Sequence, residues 1–544
     1  MKKKQLRWTL WTIASPFILF IILCILIYLP PIQNFLVDKA AVYASEATGM
    51  NISVGRISLS FPLNLVVTDV DAASPHKDTL LSVRRLQVNV QLLPLLKKQV
   101  EVDGISLQGA TVNSNDLIHG MRLNGTLGEL FISSHGVALD PETAIVNKVL
   151  LKDTDLSLCL NDTAAADTAA SDTTYWKIIL QDIDLQNVSF ALDMPLDSLS
   201  LAASLDNATL RDGLIDLHKS AYSLQTFRIK NGRVRYDSGR PSATASADSL
   251  SAGLDPSHIA LTDIGVKLDS LYYEGRNMKA IISQFVLKER SGVEIVSTEG
   301  RLVSNDKVLR VPSLKLETRD SYLELNAAMD WDALDFKKEG LVSARLMADI
   351  GKPDVVRFMG SMDEKFIRKY PSEPLRIRTG IDGDLNKLKL TTLTAELPGA
   401  LELFAKGELT SLTDSLLRGG DITLQAETKD LKFISTLAEG IEIPYGTRLE
   451  GKFTMAGPKM GTDLLLMQPE AHAVAAADTI PMTVYNDSIS VADDFKMERA
   501  ARLFAKYDLS RDRYEADLAV NHFDLHQFMP ADSLYTLSTR LKVE

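Results

Sequence analysis

The chain has very few residues of the types that carry chemistry. Only two of its 544 residues are cysteines, Cys24 and Cys159. Cys24 lies in a long apolar segment and Cys159 lies far beyond it, so they cannot share a disulfide or form a thiolate metal cluster. The nearest pair of histidines, His522 and His526, has no glutamate in the spacing of a zinc protease. The sequence also has no glycine-rich phosphate loop and no nucleophile elbow. We therefore expect no catalytic residue, no metal and no cofactor.

Positive charge is also scarce. The chain has 59 basic and 71 acidic residues and a formal net charge of −12. Four of the basic residues precede the first apolar segment, so the remainder is more acidic still. Such a surface repels phosphate backbones, and we expect no nucleic-acid partner. The hydrophobic content of 45% is that of a folded protein.

An uncharged segment from Trp8 to Leu29 is long enough, at about 1.5 Å per residue, to cross a hydrocarbon core of about 30 Å. Basic residues in positions 2–7 favour a cytoplasmic N-terminus. We predict a cytoplasmic segment 1–7 and a transmembrane helix 8–29, with the remainder on the far side. A cleaved signal peptide is the alternative, but the run is too long and no small residues follow it. The predicted anchor residues are Trp8, Phe17, Phe20 and Leu29.

Beyond the anchor the hydrophobic period changes from helix to strand. Apolar residues at helical spacing predict an amphipathic linker helix over 30–50, ending near Gly49. From Asn51 the period is two, with a phase slip at Gly55-Arg56 that indicates a bulge. We predict a β domain over 51–160, a polar loop over 161–175 and a repetitive β region over 176–544. Because Leu541 and Val543 still fit a strand, we expect that region to continue beyond Glu544.

Two internal patterns recur in this β sequence. In the first, two apolar residues precede a Gly or Asn, and another apolar residue follows three positions later. Its copies are Ile105, Leu107, Gly109, Val112; Ile183, Leu185, Asn187, Phe190; and Phe227, Ile229, Asn231, Val234. In the second, an Asp-apolar pair precedes a Phe, at Asp354, Asp430 and Asp524. The first predicts a repeated strand–turn–strand unit, and the second predicts short helices that cap sheet segments.

Residues 52–72 read ISVGRISLSFPLNLVVTDVDA, and residues 80–112 read LLSVRRLQVNVQLLPLLKKQVEVDGISLQGATV. Together with the anchor and the Thr48-Gly49-Met50 helix end, these runs resemble the N-terminal region of the AsmA-like superfamily, and within it the TamB family. The resemblance implies a bacterial inner-membrane protein with its bulk in the periplasm. It implies a mainly β fold, an elongated, curved antiparallel sheet folded like a taco around a hydrophobic groove, with a few short helices.

The same resemblance implies phospholipid transport between the inner and outer membranes. It also implies an alternative role in outer-membrane protein assembly with a TamA-type or BamA-type partner. The family's C-terminal domain, which meets that partner, is not recognisable in this sequence.

A sheet with one apolar face can close into a sandwich with a dry core or remain open as a lipid conduit, and both have the same alternation. In a conduit, each acyl methylene taken in gains about 0.8 kcal/mol. An assembly scaffold would instead need exposed strand edges. The residues that we predict to line a common apolar interior are Leu86, Val88, Val90, Leu92, Ile105, Leu107, Ile183, Leu185 and Phe190.

Overall fold

The computed structural model is mainly β, with strands forming 72% of the described part and only a few short helices. The described residues are 39, 41, 42, 45, 50–60, 64–74, 79–91, 102–114, 121–138, 142–161, 175–239, 253–335, 337, 338, 340–359, 364–412, 414, 416–437, 441–468, 483–485, 488–490, 499–530 and 535–543. The mainly β class and the few short helices are as predicted.

The predicted transmembrane helix 8–29 lies outside the described residues, as do all four anchor residues. Within the described part of the chain, no helix is both long and apolar enough to cross a membrane. In the predicted linker helix 30–50, Lys39, Ala41, Val42 and Ser45 are helical. Most of the predicted polar loop 161–175 also lies outside the described residues.

The chain divides into two compact units. The first comprises Met1–Ser246, Pro256–Gly275 and Leu287–Arg290, and the second comprises Ala247–Asp255, Arg276–Val286 and Ser291–Glu544. The strands of the first unit are β1 (Asn51–Ser60), β2 (Asn64–Ala73), β3 (Thr79–Val90), β4 (Val102–Asn113), β5 (Met121–Ala138), β6 (Thr143–Leu160), β7 (Lys177–Met194), β8 (Leu199–Asp216), β9 (Ala221–Leu224), β10 (Thr226–Ser238) and β11 (His258–Glu274). Each strand from β1 to β8 pairs with the next, and β9 and β10 both lie between β8 and β11.

One pair departs from the predicted antiparallel arrangement: β6 and β7 are parallel, with Thr143 opposite Lys177 and Cys159 opposite Asp193. Parallel neighbours need a crossover of a dozen or more residues, and the chain between Leu160 and Lys177 is of that length. The antiparallel prediction is therefore wrong at this pair. The polar segment, which we predicted as a loop, has the length of such a crossover, but alternation gives no sign of strand direction.

Nine strands of the first unit, β1 to β8 and β10, each leave a residue out of the ladder at matching positions, and these nine residues lie opposite one another. We call them the phase line: Gly55, Asp69, Arg84, Gly109, Gly128, Asp153, Asn187, Asp206 and Asn231. This confirms the phase slip predicted at Gly55-Arg56. It also explains the Gly or Asn of the repeated sequence pattern, since Gly109, Asn187 and Asn231 all belong to the line.

The backbone at the phase line depends on strand direction. Asp69, Gly109, Asp153, Asn187 and Asn231 have positive φ, between 50° and 61°, whereas their neighbours running the other way do not. The parallel neighbours β6 and β7 both have positive φ there. Gly, Asn and Asp tolerate this left-handed conformation best, which accounts for the residue types on these strands.

The extra residue keeps the apolar side chains on one face. A Cβ added to Gly232, just past the line, would lie 3.2 Å from Cγ2 of Ile229, which precedes the line, and 3.2 Å from Cβ of Ile264. Residues 229 and 232 therefore share a face although they are three apart. An ordinary strand would place residues three apart on opposite faces.

We expect Gly109→Ala to lower the free energy of unfolding by about 1–2 kcal/mol, the cost of left-handed backbone for a residue with Cβ. At Gly109, φ is +61° and an added Cβ would lie 3.2 Å from Cβ of Arg84. Asp69→Gly, on the same line at φ 54°, should cause no loss because glycine relieves that cost. Equilibrium urea unfolding measures the free energy of unfolding of both variants. A larger decrease for Asp69→Gly than for Gly109→Ala would contradict the proposed cost of positive φ at these positions.

The second unit contains most of the remaining strands, including the larger part of β12. They are β12 (Asn277–Glu289), β13 (Glu294–Ser304), β14 (Val308–Thr318), β15 (Tyr322–Asp330), β16 (Val342–Ile350), β17 (Leu375–Gly383), β18 (Lys387–Leu397), β19 (Leu401–Thr410), β20 (Gly419–Thr428), β21 (Arg448–Ala456), β22 (Lys459–Gln468), β23 (Thr483–Tyr485), β24 (Ser488–Ser490), β25 (Arg499–Asp508), β26 (Arg513–Asp524) and β27 (Thr536–Val543). From β13 to β27 the pairs are antiparallel in chain order, except that β22 pairs with β25, while β23 and β24 form a separate hairpin.

The helices of the second unit are short. Among the described residues they are α1 (Lys352–Met359), α2 (Glu364–Lys369) and the 3-10 turns Trp331–Leu334, Ile434–Thr436 and Leu525–Gln527. Short helices follow all three predicted positions, and the acidic start is confirmed at two of them. Asp354 lies in the first turn of α1, and Asp524 caps the last 3-10 turn by accepting from the backbone N–H of His526. The turn Ile434–Thr436 begins four residues after Asp430 and has no acidic residue in its first turn.

Candidate functional site

Apolar residues lie opposite one another across ten strands of the first unit, in two neighbouring rows on one face. We call these row 1 and row 2. Row 1 is Leu59, Leu65, Val88, Ile105, Ile132, Val149, Ile183, Leu210, Phe227 and Leu268; row 2 is Ile57, Val67, Leu86, Leu107, Leu130, Leu151, Leu185, Ala208, Ile229 and Val266. Directly opposite residues share a face of a sheet, so the rows form one continuous apolar surface.

The register brings together most of the residues that the sequence singled out. Row 1 contains Val88, Ile105 and Ile183, and row 2 contains Leu86, Leu107 and Leu185. The remaining three lie apart from these rows or outside the described residues: Val90 is opposite Val102 at the end of β3, Phe190 lies beyond the phase line opposite Leu156 and Ala203, and Leu92 is not described. Their role as groove lining stays a prediction.

The other face of the same strands is mainly polar. The residues between rows 1 and 2 are Ser58, Val66, Gln87, Ser106, Phe131, Leu150, Asp184, Thr209, Arg228 and Lys267. Only three of these ten are apolar, whereas all twenty members of the two rows are. The sheet therefore has an apolar face and a largely polar face.

The apolar face remains partly open to solvent. Of the twenty row members only Ala208 is fully buried, and the other nineteen are half-buried. A sandwich would bury the facing residues of both layers. In the described part of the first unit, no second layer therefore covers these rows.

A shallow depression of about 350 Å³ lies in the first unit where β6, β7, β8, β10 and β11 run side by side. Its lining includes Phe190, Leu156, Val234 and Leu261, the apolar residues beyond the phase line. Asp155, Ser204 and Arg233 also contribute to it. Phe190, a predicted lining residue, is 38% exposed here. The depression provides apolar surface beside polar groups.

The second unit repeats this arrangement, which our sequence interpretation did not identify residue by residue. Row 3 is Leu323, Ala348, Ile377, Ala395, Leu403, Ala426, Leu449, Leu466, Ala501 and Val520; row 4 is Leu325, Leu346, Thr379, Leu393, Ala405, Leu424, Gly451, Leu464, Leu503 and Leu518. The signal was available, because pairs such as Leu323 and Leu325 alternate with polar residues as strongly as those of β3.

Ion pairs join neighbouring strands on the polar face of the second unit. Arg502 Nε donates to Asp463 Oδ1 at 2.8 Å, and Arg540 Nε donates to Asp517 Oδ1 at 2.9 Å. These hydrogen bonds from arginine hold the pKa of Asp463 and of Asp517 below the usual range for a carboxyl. Such exposed pairs contribute little stability, but they keep charge on one face.

Among the described residues, no group of His, Cys, Asp and Glu is arranged to hold a metal ion. No protein-family model matches this chain, and no curated protein matches it either. Rows 1 and 2 give the first unit an extended apolar surface, and rows 3 and 4 give one to the second unit.

Proposed function

We propose that this chain is an inner-membrane-anchored periplasmic protein that carries phospholipid between the inner and outer membranes. The observation that carries the proposal is the open apolar face, where nineteen of twenty row members remain half-buried. Leaving apolar surface in water is unfavourable by about 25 cal/mol per Å², so this face favours an apolar occupant. The AsmA-like resemblance of residues 52–72 and 80–112 supports phospholipid as that occupant.

The form of the rows suits a mobile occupant. Each row continues across ten strands without an interrupting charge, so an acyl chain meets equivalent surface at every step. Strands are spaced about 4.8 Å apart, and ten of them therefore provide a path of about 45 Å. The phase line supports a curved, taco-like groove, because extra residues of this kind bend and twist strands and here they lie at one level.

A photo-crosslinker placed on each face tests the proposal. At Val88 or Leu185 it should capture phospholipid in cells, whereas at Asn89 or Gln186, their neighbours on the polar face, it should capture several-fold less. Crosslinked lipid is identified by mass spectrometry. Equal capture on both faces of a folded protein would count against the conduit.

A scaffold for outer-membrane protein assembly, which the same resemblance implies, is the second candidate. Such a scaffold receives another extended chain at an exposed strand by β-augmentation. The residues of β27 are exposed, and Leu541 is 57% exposed. A crosslinker at Leu541, in β27, should then capture an unfolded outer-membrane protein or a TamA-type partner rather than lipid.

A further inference from the structure

The apolar face of the second unit is covered at one end of its strands. The segments after β16, β20 and β26, which contain α1, α2 and the turns Ile434–Thr436 and Leu525–Gln527, all follow strands that run in the same direction. They therefore lie at the same strand ends, which we call the capped rim. Phe366 of α2 and Phe433 form a buried cluster with Leu397 of β18, and their rings are 5.6 Å apart.

The cluster covers the same face as row 3. Leu397 is opposite Leu401, and each is two residues from a member of row 3, Ala395 or Leu403. Further along the rim, Gln468, two residues from Leu466, is fully buried and exchanges two hydrogen bonds with the backbone of Asp524, of 3.0 and 2.8 Å. The capping segments thus close the apolar face along this rim.

Polar contacts fix α1 in the same place. Asp354 is fully buried and accepts hydrogen bonds from Ser321 Oγ at 2.6 Å, from Arg357 Nη1 at 3.0 Å and from the Thr318 hydroxyl. Thr318 and Ser321 belong to the turn between β14 and β15, at the capped rim. The caps are therefore built into the sheet end by both apolar and ionic contacts.

The opposite strand ends, which we call the open rim, have a cover of this kind only beside β15, where the turn Trp331–Leu334 buries Ala333. In the described residues, no helix or 3-10 turn lies at this rim beside β21, β22 or β26. Residues of the apolar face near it are much more exposed: Phe453 is 44% exposed, Met460 47% and Tyr514 56%. On the same strands, the residues at the capped end are buried: Gln468 of β22 is 0% exposed and Phe523 of β26 is 6% exposed. Exposure therefore rises from the capped rim to the open rim along β22 and β26.

The open rim has the side chains of a polar–apolar boundary. Met460 is opposite Tyr507, and Tyr507 is opposite Tyr514, whose rings can contact apolar and polar groups together. Both signs of charge occur in the turns there, carried by Lys307, Arg418, Arg511, Asp384, Asp414 and Asp512. This mixture complements a headgroup that carries both charges.

We propose that phospholipid in the second unit lies along the strands, with its tails directed to the capped rim and a zwitterionic headgroup at the open rim. Met460 lies six positions before Leu466 on β22, a distance of about 20 Å at about 3.3 Å per residue. One leaflet of a hydrocarbon core of about 30 Å is about 15 Å thick, so the tails fit within that length. This inference rests on the phospholipid function proposed above.

Two phosphatidylcholines that differ only in the position of a diazirine test the orientation. The full chain is loaded with each probe and irradiated, and labelled residues are mapped by mass spectrometry. The tail-end probe should label Leu449 and Leu466 several-fold more than Met455 and Met460, and the headgroup probe should show the reverse. Equal or inverted patterns overturn the orientation. If neither probe labels these residues more than Glu450 and Leu465 on the polar face, the proposed function fails and the orientation fails with it.

Aspartate substitutions provide a second measurement. Leu466→Asp should lower co-purified phospholipid several-fold, because the carboxylate would lie among the tails, whereas Met460→Asp should retain most of it beside the headgroup. Circular dichroism checks that both variants fold. Stronger loss for a folded Met460→Asp than for a folded Leu466→Asp overturns the orientation, and the unsubstituted chain with the two probes decides the question if either variant unfolds.

Discussion

Replacing Val88 and Val90 together by aspartate is expected to reduce bound phospholipid at least about tenfold while leaving the chain folded. Val88 lies in row 1 between Leu65 and Ile105. Placing an unpaired polar group among acyl chains costs about 2–7 kcal/mol, and about 1.4 kcal/mol already corresponds to a factor of ten. In the lipid-free chain the carboxylates face solvent, so folding should tolerate them. Phospholipid per purified chain and transfer between vesicles are the measurements.

The matched control places the same two charges on the other face, as Gln87→Asp with Asn89→Asp. These residues are next to Val88 in β3, and Gln87 is opposite Ser106. This variant should keep its phospholipid. Equal losses in both variants would show a charge effect unrelated to the apolar rows, and a protease-sensitive Val88/Val90 variant would indicate a closed core.

Phe366→Ala is expected to destabilise the second unit by about 3–5 kcal/mol, the usual cost of truncating a buried phenylalanine. Phe366 is 2% exposed and packs against Tyr370 and Phe433 at ring distances of 5.8 and 5.6 Å. Urea unfolding should report the loss, and limited proteolysis should show earlier cleavage around α1 and α2.

Leu416→Ala is the control for this truncation. Leu416 lies in a turn at the open rim and is 75% exposed. Its removal should change the free energy of unfolding by less than about 0.5 kcal/mol, as for most surface positions. Comparable losses in the two variants would mean that the cap cluster does not stabilise the rim.

The sequence predicted those features of the fold that depend on local chemistry. Period-two alternation identified the strands and the face of residues such as Val88 and Leu185, because side chains alternate strictly along a strand. The phase slip at Gly55-Arg56 was visible because a single extra residue shifts that alternation. The helix starts at Asp354 and Asp524 were visible because an acidic side chain is favourable at a helix start.

Features that depend on which strands meet were not predictable. Alternation is the same for parallel and antiparallel neighbours, so β7 gave no sign of its direction relative to β6. The alternation is also the same for a closed sandwich and for a sheet with an open face. Only the exposure of residues such as Leu86 and Ile183 in the folded chain distinguishes these two architectures. In the second unit, alternation indicated apolar positions such as Leu323 and Leu325, but which of them lie opposite one another depends on the register between strands.

The phase line has a consequence for how such a sheet can change length. In each strand that crosses the phase line, the residue numbers that face the apolar side change from odd to even, or from even to odd, at the line. Loss of Asp69 alone would therefore turn Leu65 and Val67 towards the polar side. A single-residue insertion or deletion within a strand therefore moves apolar side chains to the polar face. Addition of a complete hairpin leaves the faces of all existing side chains unchanged. Natural variants are expected to lengthen in increments of two strands, each about 10 Å.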